Sequence, residues 1–296
     1  MLEDLKLDEA YDGFLFLADS QRNPPYLKPH RHVELEVNLV VRGTITCVVA
    51  GRKYTFGTGT LLWFFPAQVH QLVYRSQDAQ YYVGVFKPEL IDRVCQADEY
   101  QFLKRKRPRD GMLSRVLPSE DYFKVRSTME SLVADGPDPD LLNKEAGFGL
   151  DSDFRYEHKD PDMLNAGLRF LLLQCWKAYG KQEVGEEGHE LHPAVEAALS
   201  LVARDPSIES IEQIAKECGV SVSYLSRLFA REVGMPLSRY RNTVRLDRFL
   251  SLGRGDRKLS LLDAALEAGF GSYAQFYKVF VGQFGCGPRV FWKDRE

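Results

Sequence analysis

The sequence predicts an α+β fold, in which an N-terminal antiparallel β-barrel with flanking helices precedes an all-α C-terminal region. Two observations predict this division. Short segments rich in Val, Phe, Tyr and Thr recur between residues 13 and 86, with turn sequences between them. From His192 to the end the apolar residues instead follow a helical period, and Pro193 stands where the start of a helix tolerates proline.

Seven segments make up the predicted barrel, and their regular spacing is typical of an antiparallel barrel or sandwich. They are FLFLA, VELEVNLVV, TITCVVA, RKYTF, TLLWFF, QLVYR and YYVGVF. The strand region ends at Lys87-Pro88, and two amphipathic helices are expected near 119–134 and 161–181. The second helix is apolar nearly all round its middle, so we expect it to be buried within the protomer or against a second copy.

Composition and charge also divide the chain in two. Its 296 residues are enough for two domains, and its net charge of -3 is unevenly spread. The part from His192 onward holds 15 basic and 12 acidic residues, which leaves 24 basic and 30 acidic residues for the rest. Five scattered cysteines without a CxxC pair, no bilayer-spanning apolar run and no secretion signal predict a cytoplasmic protein without membrane contact.

A repeated unit organises the C-terminal region. SIEQIAKECGVSVSYLSRLFAREVG and SLLDAALEAGFGSYAQFYKVFVGQFG match at an offset of 50 residues that becomes 51 after one slip. A fixed offset with a single slip indicates that one structural unit occurs twice. The matched pairs are Ala215 and Ala265, Gly219 and Gly269, Leu225 and Phe276, Arg227 and Lys278, Phe229 and Phe280, Gly234 and Gly285, and Tyr240 and Phe291.

Each unit has the pattern of a helix-turn-helix. A small residue lets the second helix pack closely across the first, and Gly219 or Gly269 is free to take the left-handed conformation of the tight turn. A polar residue then caps the second helix, for which Ser221 is the candidate in the first unit. The apolar face of the second helix is expected to hold Leu225, Leu228 and Phe229 in the first unit, and Phe276, Val279 and Phe280 in the second.

The opposite face of that second helix is left for DNA, because in such units it lies in the major groove. Arg227 is the strongest candidate for a base contact, since a guanidinium can donate two hydrogen bonds to guanine, and Lys278 is the next. The expected DNA-contacting residues are Val222, Ser223, Ser226, Arg227, Arg231, Tyr273, Ala274, Tyr277 and Lys278. Basic residues expected to contact phosphates are Arg231, Arg239, Arg241 and Arg245.

Segment 192–296 resembles the DNA-binding domain of the arabinose-regulator (AraC/XylS) family of bacterial transcription factors. The resemblance is carried by IEQIAKECGVSVSYLSRLFAREVG, RYRNTVRLDRFL and AALEAGFGSYAQFYKVFVGQFG, with Pro288 after them. It implies two helix-turn-helix units, joined by one long helix, that enter successive major grooves on one face of DNA. Many members have Phe-Ser-Arg where this chain has Phe276-Tyr277-Lys278, and arginine in place of Trp292, so the second unit is expected to contact DNA differently.

Four residues with the chemistry of metal ligands occur in the strand region. His30, His32 and Glu36 form H-x-H-x3-E, whose equal parity places the three side chains on one face of a strand, and His70 follows on a later strand. Three imidazoles and a carboxylate suit a divalent transition metal such as Zn, Ni, Mn or Fe. The segment resembles a cupin (jelly-roll) barrel, although its Pro66–His70 part is one residue short and lacks the usual glycine.

Three functions fit these residues: binding a small organic effector without a metal, holding a metal ion, or catalysis in a cupin enzyme. The resemblance favours the first, with a sugar as one candidate and no required cofactor, because cupin domains of this regulator family commonly sense effectors. The expected effector-binding residues are His30, His32, Glu36, Trp63 and His70. The expected metal ligands are His30, His32, Glu36 and His70, and the expected aromatic wall is Phe14, Phe16, Trp63 and Phe65.

The sequence therefore predicts an effector-controlled, sequence-specific transcription regulator that is not an enzyme. The alternative is a metal-dependent cupin enzyme or a metal sensor fused to a DNA-binding domain. The expected domains are a sensor at 1–110, a helical linker and dimerisation region at 111–185, and the DNA-binding domain at 192–296. Expected partners are double-stranded operator DNA, the effector, a second copy of the chain and, for the activator that the resemblance implies, RNA polymerase. We expect the effector-dependent change in the linker at 181–191.

Overall fold

The structure is a computed structural model. It describes residues 5, 7–20, 29–49, 51–105, 112–136, 156–180, 189–205, 208, 210–252, 259–284 and 286–293. Most of the expected linker at 181–191, and Gly285 of the repeat, lie outside the described residues. No helix in the described part of the chain is both long enough and apolar enough to cross a bilayer.

Two antiparallel sheets form the N-terminal part. Their strands are β1 (Gly13–Asp19), β2 (Leu35–Arg42), β3 (Thr44–Val49), β4 (Arg52–Gly57), β5 (Thr60–Phe64), β6 (His70–Arg75), β7 (Gln80–Phe86), β8 (Leu113–Val116) and β9 (His189–Glu190). The first sheet has the order β1-β7-β2-β5-β8 and the second has the order β6-β3-β4-β9. The two sheets share one hydrophobic core, so the predicted barrel is a two-sheet arrangement compatible with a jelly roll.

All seven predicted strand segments are strands, which confirms the prediction from Val-, Phe-, Tyr- and Thr-rich segments between turn sequences. Strands β8 and β9 were not predicted from the sequence. Both are short strands at sheet edges, where β8 pairs with β5 and β9 pairs with β4. A strand of two to four residues contains too few side chains for alternation to be recognised.

Helices cover the outer side of the first sheet. They are α1 (Pro88–Val94), a 3-10 helix (Asp98–Lys104), α2 (Ser119–Ala134) and α3 (Pro161–Tyr179). Asp160 caps α3 by accepting a hydrogen bond from the backbone N–H of Met163 at 3.0 Å. Gly167 lets α3 approach α2 closely, since a Cβ there would overlap the side chain of Leu132. Much of the apolar middle of α3 is buried within the protomer, in the same core as the sheets, whereas Phe170 is 59% exposed.

The C-terminal part is entirely helical in its described residues. Its helices are α4 (Pro193–Arg204), α5 (Ile211–Glu217), α6 (Val222–Val233), α7 (Leu237–Leu252), α8 (Leu261–Glu267), α9 (Tyr273–Phe284) and α10 (Pro288–Lys293). Helices α4–α6 and the start of α7 share one hydrophobic cluster, whereas the end of α7 shares another with α8–α10. Helix α7 therefore connects two separately packed units.

Candidate DNA-binding and ligand sites

The first unit is a helix-turn-helix made by α5 and α6. Ala215 is buried at the end of α5, and Gly219 in the turn has a φ of 70°, in the left-handed region that glycine favours. Ser221 caps α6, because its hydroxyl oxygen accepts a hydrogen bond from the backbone N–H of Tyr224 at 3.3 Å. The small residue, the glycine and the cap predicted from the repeat are all confirmed.

The second unit repeats this geometry with α8 and α9. Ala265 is buried, and Gly269 has a φ of 97°. The hydroxyl oxygen of Ser272 accepts a hydrogen bond from the backbone N–H of Gln275 at 3.2 Å and so caps α9. The core of this unit is aromatic, with the rings of Phe249 and Phe276 4.2 Å apart.

Helix α6 presents a row of polar side chains to solvent. Ser223, Arg227 and Arg231 are exposed and lie four residues apart, which places them along one face of the helix. Ser226 beside them is half-buried. Val222 departs from the prediction, because it packs partly against the hydrophobic cluster of the first unit instead of facing outward. 

Tyr224 was not among the predicted DNA contacts, although its side chain is 41% exposed near the start of α6. From the sequence it was assigned to neither the buried nor the exposed face of the helix. Its exposure at the N-terminal end of the second helix makes it a further candidate, because this end of the helix approaches base edges in such units.

Helix α9 presents a less basic surface. Ala274, Tyr277 and Lys278 are exposed as predicted, and Gln275, which was not predicted, is exposed between them. Tyr273 is only half-buried against the core, with its ring centroid 5.6 Å from that of Phe276. The DNA-facing surface of the second unit therefore has one lysine among polar and small residues.

Two of the four arginines expected to contact phosphates are used inside the protein. Arg245 is 3% exposed, and its guanidinium donates a hydrogen bond to the carbonyl oxygen of Ile208 at 2.9 Å. Arg241 donates to the same carbonyl at 3.3 Å and is half-buried. Both predictions of a phosphate contact are wrong for one reason. The two side chains donate hydrogen bonds to a buried backbone carbonyl ahead of α5. Arg231 and Arg239 are exposed.

The four candidate metal ligands of the front domain lie together between the two sheets. Glu36 is on β2 of the first sheet and His70 is on β6 of the second, while His30 and His32 precede β2. The ligand atoms of the three histidines all lie within 4.8 Å of one another. The Oε2 atom of Glu36 is 3.1 Å from His32 Nε2 and 3.8 Å from His70 Nε2.

The hydrogen bonds fix which nitrogen of each ring faces the centre of this group, called here the histidine cluster (His30, His32, Glu36 and His70). His32 Nδ1 lies 3.2 Å from the carbonyl oxygen of Glu34, and His70 Nδ1 lies 3.0 Å from that of Gln68. A carbonyl oxygen only accepts, so Nδ1 carries the proton in each ring. Nε2 of His32 and Nε2 of His70 thereby face Glu36.

The charge states suit the binding of a cation. Burial alone would raise the pKa of Glu36, but the hydrogen bond with His32 and the nearby imidazoles outweigh it and lower that pKa to about 2. Burial, with His30 beside it, lowers the pKa of His70 to about 3. Asn38, missed in the sequence, donates from Nδ2 to Glu36 Oε1 at 2.8 Å and holds the carboxylate in place. The cluster therefore contains an ionised carboxylate beside a neutral imidazole.

The loop before His70 shows how the shortened motif still brings its two halves together. Ala67 has a φ of 63°, the left-handed conformation that the missing glycine would adopt freely. Its backbone N–H donates to the carbonyl oxygen of His32 at 2.9 Å, and an isolated bridge joins His30 to His70. These backbone contacts bring both halves of the motif together.

Trp63 does not belong to the cluster, contrary to the prediction. It pairs with Val37 across β2 and β5, so alternation places it on the outer face of the sheet, opposite Glu36. Its ring packs edge-on against Trp176 of α3 at 5.7 Å. The aromatic residue beside the cluster is Phe64, which pairs with Glu36 and stacks on His70 at 4.4 Å.

The other three residues of the expected aromatic wall are divided between two places. Phe14 and Phe16 are on the same face as Glu36, because Phe14 and Glu36 both pair with Val85. Phe65 follows β5 and packs against Phe102 of the 3-10 helix at 5.6 Å. The prediction is therefore wrong for Phe65. The helices on the outer side pack against the odd-numbered aromatic residues of this segment, Trp63 and Phe65.

Two family models match the chain. One, described as an AraC-like ligand binding domain, matches residues 13–118, which hold the two sheets and the histidine cluster. The other, described as a helix-turn-helix domain, matches residues 214–294, which hold both units. The two matches do not overlap.

Relatives with curated names are transcriptional regulators. The chain is 23% identical over 294 residues to the HTH-type transcriptional activator RhaS of Klebsiella pneumoniae, covering 96% of this chain and 94% of that protein. It is 39% identical over 82 residues to the putative regulator YkgA of Escherichia coli, covering 28% of this chain and 34% of that protein. A solved structure of ToxT from Vibrio cholerae has a TM-score of 0.34 at 13% identity, with 94% of this chain and 96% of that chain covered.

Three findings indicate a transcription regulator. They are the helix-turn-helix geometry, the order of the two matched domains, and the similarity to a regulator along nearly all of the chain. These matches are the domains of a transcription regulator that binds DNA and a ligand. The chain therefore contains an AraC-like ligand-binding domain ahead of a helix-turn-helix domain, and it is similar along nearly all of its length to a transcriptional activator.

Proposed function

We propose that the protein reads its operator chiefly through α6 and uses α9 mainly to hold the DNA backbone. The exposed row of Ser223, Arg227 and Arg231 on α6 carries this proposal. A guanidinium at Arg227 is placed to donate two hydrogen bonds to a guanine, whereas α9 has only Lys278 for a charged contact. The two units would then enter successive major grooves along one face of the duplex.

Replacing Arg227 with alanine is expected to weaken operator binding by about 1–3 kcal/mol and to relax specificity at one base pair. The reason is the loss of a bidentate contact to a base edge. The measurement is a binding titration by fluorescence anisotropy at fixed salt, with operators that carry single substitutions. Arg204→Ala, at an exposed arginine of α4 outside both units, is the matched control. Equal affinity of the Arg227 variant and wild type would refute the proposed recognition face.

For the front domain we propose that the histidine cluster binds a divalent transition metal, Zn, Ni, Mn or Fe. The supporting observation is His70 Nε2, which is buried and makes no hydrogen bond within the described residues. Leaving such an atom unpaired costs free energy. Histidines that bind metals commonly donate the other ring N–H to a backbone carbonyl, as His32 and His70 do here.

The proximity of His32 Nε2 to Glu36 Oε2 supports the same proposal. With the proton on Nδ1, a neutral His32 places a lone pair 3.1 Å from a carboxylate oxygen. Two such acceptors are stabilised by a proton or by a cation between them. A bound ion would also join the two sheets, because Glu36 lies on one and His70 on the other. The ion would supply positive charge and open coordination positions for oxygen atoms of an organic effector, such as a sugar.

Metal binding is expected at one ion per chain in wild type and to weaken by about 100-fold or more in His32→Ala, beyond the 10–100-fold typical of outer-shell changes. The measurements are elemental analysis of the purified protein and calorimetric titration with Zn²⁺, Ni²⁺, Mn²⁺ and Fe²⁺. His192→Asn removes a histidine outside the cluster and keeps a side chain that caps α4, so it is the control. Substoichiometric metal in wild type, or unchanged affinity in His32→Ala, would refute the site.

We further propose that the regulator is a cytoplasmic homodimer that activates transcription with RNA polymerase. Three large apolar side chains on α2 and α3 support dimerisation: Phe123, Met163 and Phe170 are 63%, 62% and 59% exposed. The activator assignment follows the name of the Klebsiella relative. Sedimentation of the full chain, with Phe170→Asp as the variant, tests the dimer.

A further inference from the structure

The outer face of the second sheet is covered by the first helix-turn-helix unit. Val48 of β3 and Val73 of β6 are 9% and 0% exposed, and they belong to the hydrophobic cluster of α4–α7 and not to the core between the sheets. A β-strand exposes its outer face to solvent unless another element packs on it. The sensor and the first DNA-binding unit therefore form one continuous apolar contact, called here the docking face (Val48, Gln71 and Val73).

A buried polar contact lies within the docking face. The side chain of Gln71 on β6 donates a hydrogen bond from Nε2 to the hydroxyl oxygen of Tyr240 at 2.6 Å. Tyr240 is fully buried near the start of α7, with its ring 5.5 Å from that of Phe229 in α6. A hydrogen bond in an otherwise apolar interface fixes the relative position of the two surfaces, because any shift leaves a buried polar group unpaired.

Contacts of the chain segment that enters α4 support the same arrangement. Strand β9 pairs with β4 at the edge of the second sheet, through Glu190 opposite Arg52. The backbone N–H of His192 then donates to a carboxylate oxygen of Glu232 near the end of α6 at 2.9 Å. The chain entering α4 is thus attached to the sensor on one side and to α6 on the other.

Strand β6 places neighbouring residues on opposite sides of the sheet. His70 faces the space between the sheets and belongs to the histidine cluster, whereas Gln71 faces the docking face. A strand that carries both groups cannot move one of them without moving the other, since packed interiors transmit displacement.

We propose that β6 couples the histidine cluster to the first helix-turn-helix unit, with Gln71 and Tyr240 as the positioning residues of the contact. The proposal rests on the ligand site proposed above at the cluster. A ligand that draws His70 toward Glu36 changes how Gln71 meets Tyr240 at the start of the helix that connects both units. The coupling thus runs through the docking face, in addition to the linker expected at 181–191.

The docking face controls position and leaves access to DNA open. Ser223 and Arg227 remain exposed while the unit is docked, so the sensor does not cover the row that reads bases. Tyr240 instead stands where α7 begins, and α7 sets the placement of the second unit relative to the first. Ligand binding is therefore expected to change operator affinity through the relative placement of the two units.

The first test addresses the docked contact without any ligand. In full-length protein, Gln71→Leu and Tyr240→Phe are each expected to raise amide hydrogen exchange about tenfold in α4 and the first turns of α7, the effect of a lost buried hydrogen bond. Exchange in β2 and α3 is expected to stay unchanged. Gln77→Leu, at an exposed glutamine in the turn after β6, is the matched control. Unchanged exchange in α4 and α7 in both variants would overturn the proposal.

The second test addresses coupling. Wild type loaded with Ni²⁺ or Zn²⁺ is expected to differ from metal-free protein by about fivefold or more in operator affinity, a typical coupling between sites. Gln71→Leu is expected to bind the same number of ions and to lose that difference. A difference retained in Gln71→Leu, or absent in metal-loaded wild type, overturns the coupling. A wild type that binds no metal refutes the metal site instead, and the exchange experiment then decides on the docked contact alone.

Discussion

Replacing Phe249 with alanine is expected to lower the free energy of unfolding of the second helix-turn-helix unit by about 3–5 kcal/mol. Phe249 is fully buried near the end of α7, where its ring lies 4.2 Å from Phe276 and 5.8 Å from Phe280. Alanine would leave a cavity in a small core that consists largely of aromatic rings. Hydrogen exchange resolved by helix measures the effect, with α8 and α9 expected to lose protection.

The first unit is expected to stay folded in that variant, because its hydrophobic cluster is separate from that of the second. A DNase footprint on the operator should then shorten to the major groove read by α6. Leu262→Ala in α8 of the same unit is the control, since that leucine is 47% exposed and its loss should change stability by less than about 0.5 kcal/mol. Equal loss of protection in α5 and α6 would show that the two units unfold together.

The fold was predictable wherever a pattern repeats along the chain. Seven strands were found from short segments rich in Val, Phe, Tyr and Thr between turn sequences. Both helix-turn-helix units were found from a repeat whose glycines, Gly219 and Gly269, do take positive φ angles. These signals are local, since the backbone conformation that a tight turn requires determines the residue that occupies it. An edge strand such as β8 forms only because another strand, here β5, lies beside it to pair with. The four residues LSRV contain no signal of that pairing.

The sequence predicted which residues come together in the histidine cluster, but not which partners other side chains contact. His30, His32, Glu36 and His70 do lie together, because the spacing of the motif and the hairpins between its halves are fixed by the strands. The use of Arg245 inside the protein could not be predicted, since its partner is a backbone carbonyl at Ile208 that the sequence does not mark. The docking face was missed for a similar reason, as Gln71 and Tyr240 are far apart in the chain.

Trp63 shows how one residue of register changes an interpretation. Trp63 and Phe64 are adjacent aromatic residues of β5, and the sequence alone assigned the first of them to the ligand site. The pairing of Glu36 with Phe64 places Phe64 on the side of the histidine cluster and Trp63 under α3. Because side chains alternate along a strand, assigning one residue to one face of the sheet assigns its neighbour to the other face.

Trp63→Ala is expected to lower the free energy of unfolding of the front domain by about 3–5 kcal/mol, because a fully buried indole between the sheet and α3 is lost. Chemical denaturation followed by circular dichroism measures this change. The affinity of the remaining folded protein for Zn²⁺ or Ni²⁺ is expected to be the same as in wild type, since Trp63 contacts no member of the histidine cluster through its face of the sheet.

Phe64→Ala is the matched comparison, one residue further along the same strand. Its ring stacks on His70 at 4.4 Å, so its removal frees the imidazole that the proposed site needs in one orientation. Metal affinity is therefore expected to fall in Phe64→Ala and to hold in Trp63→Ala, while both variants lose stability. A fall in both would mean that metal affinity follows the stability of the whole domain, and a fall only in Trp63→Ala would reverse the faces assigned to β5. A loss of metal affinity in Phe64→Ala but not in Trp63→Ala would thus distinguish residues of the ligand site from residues of the core that supports it.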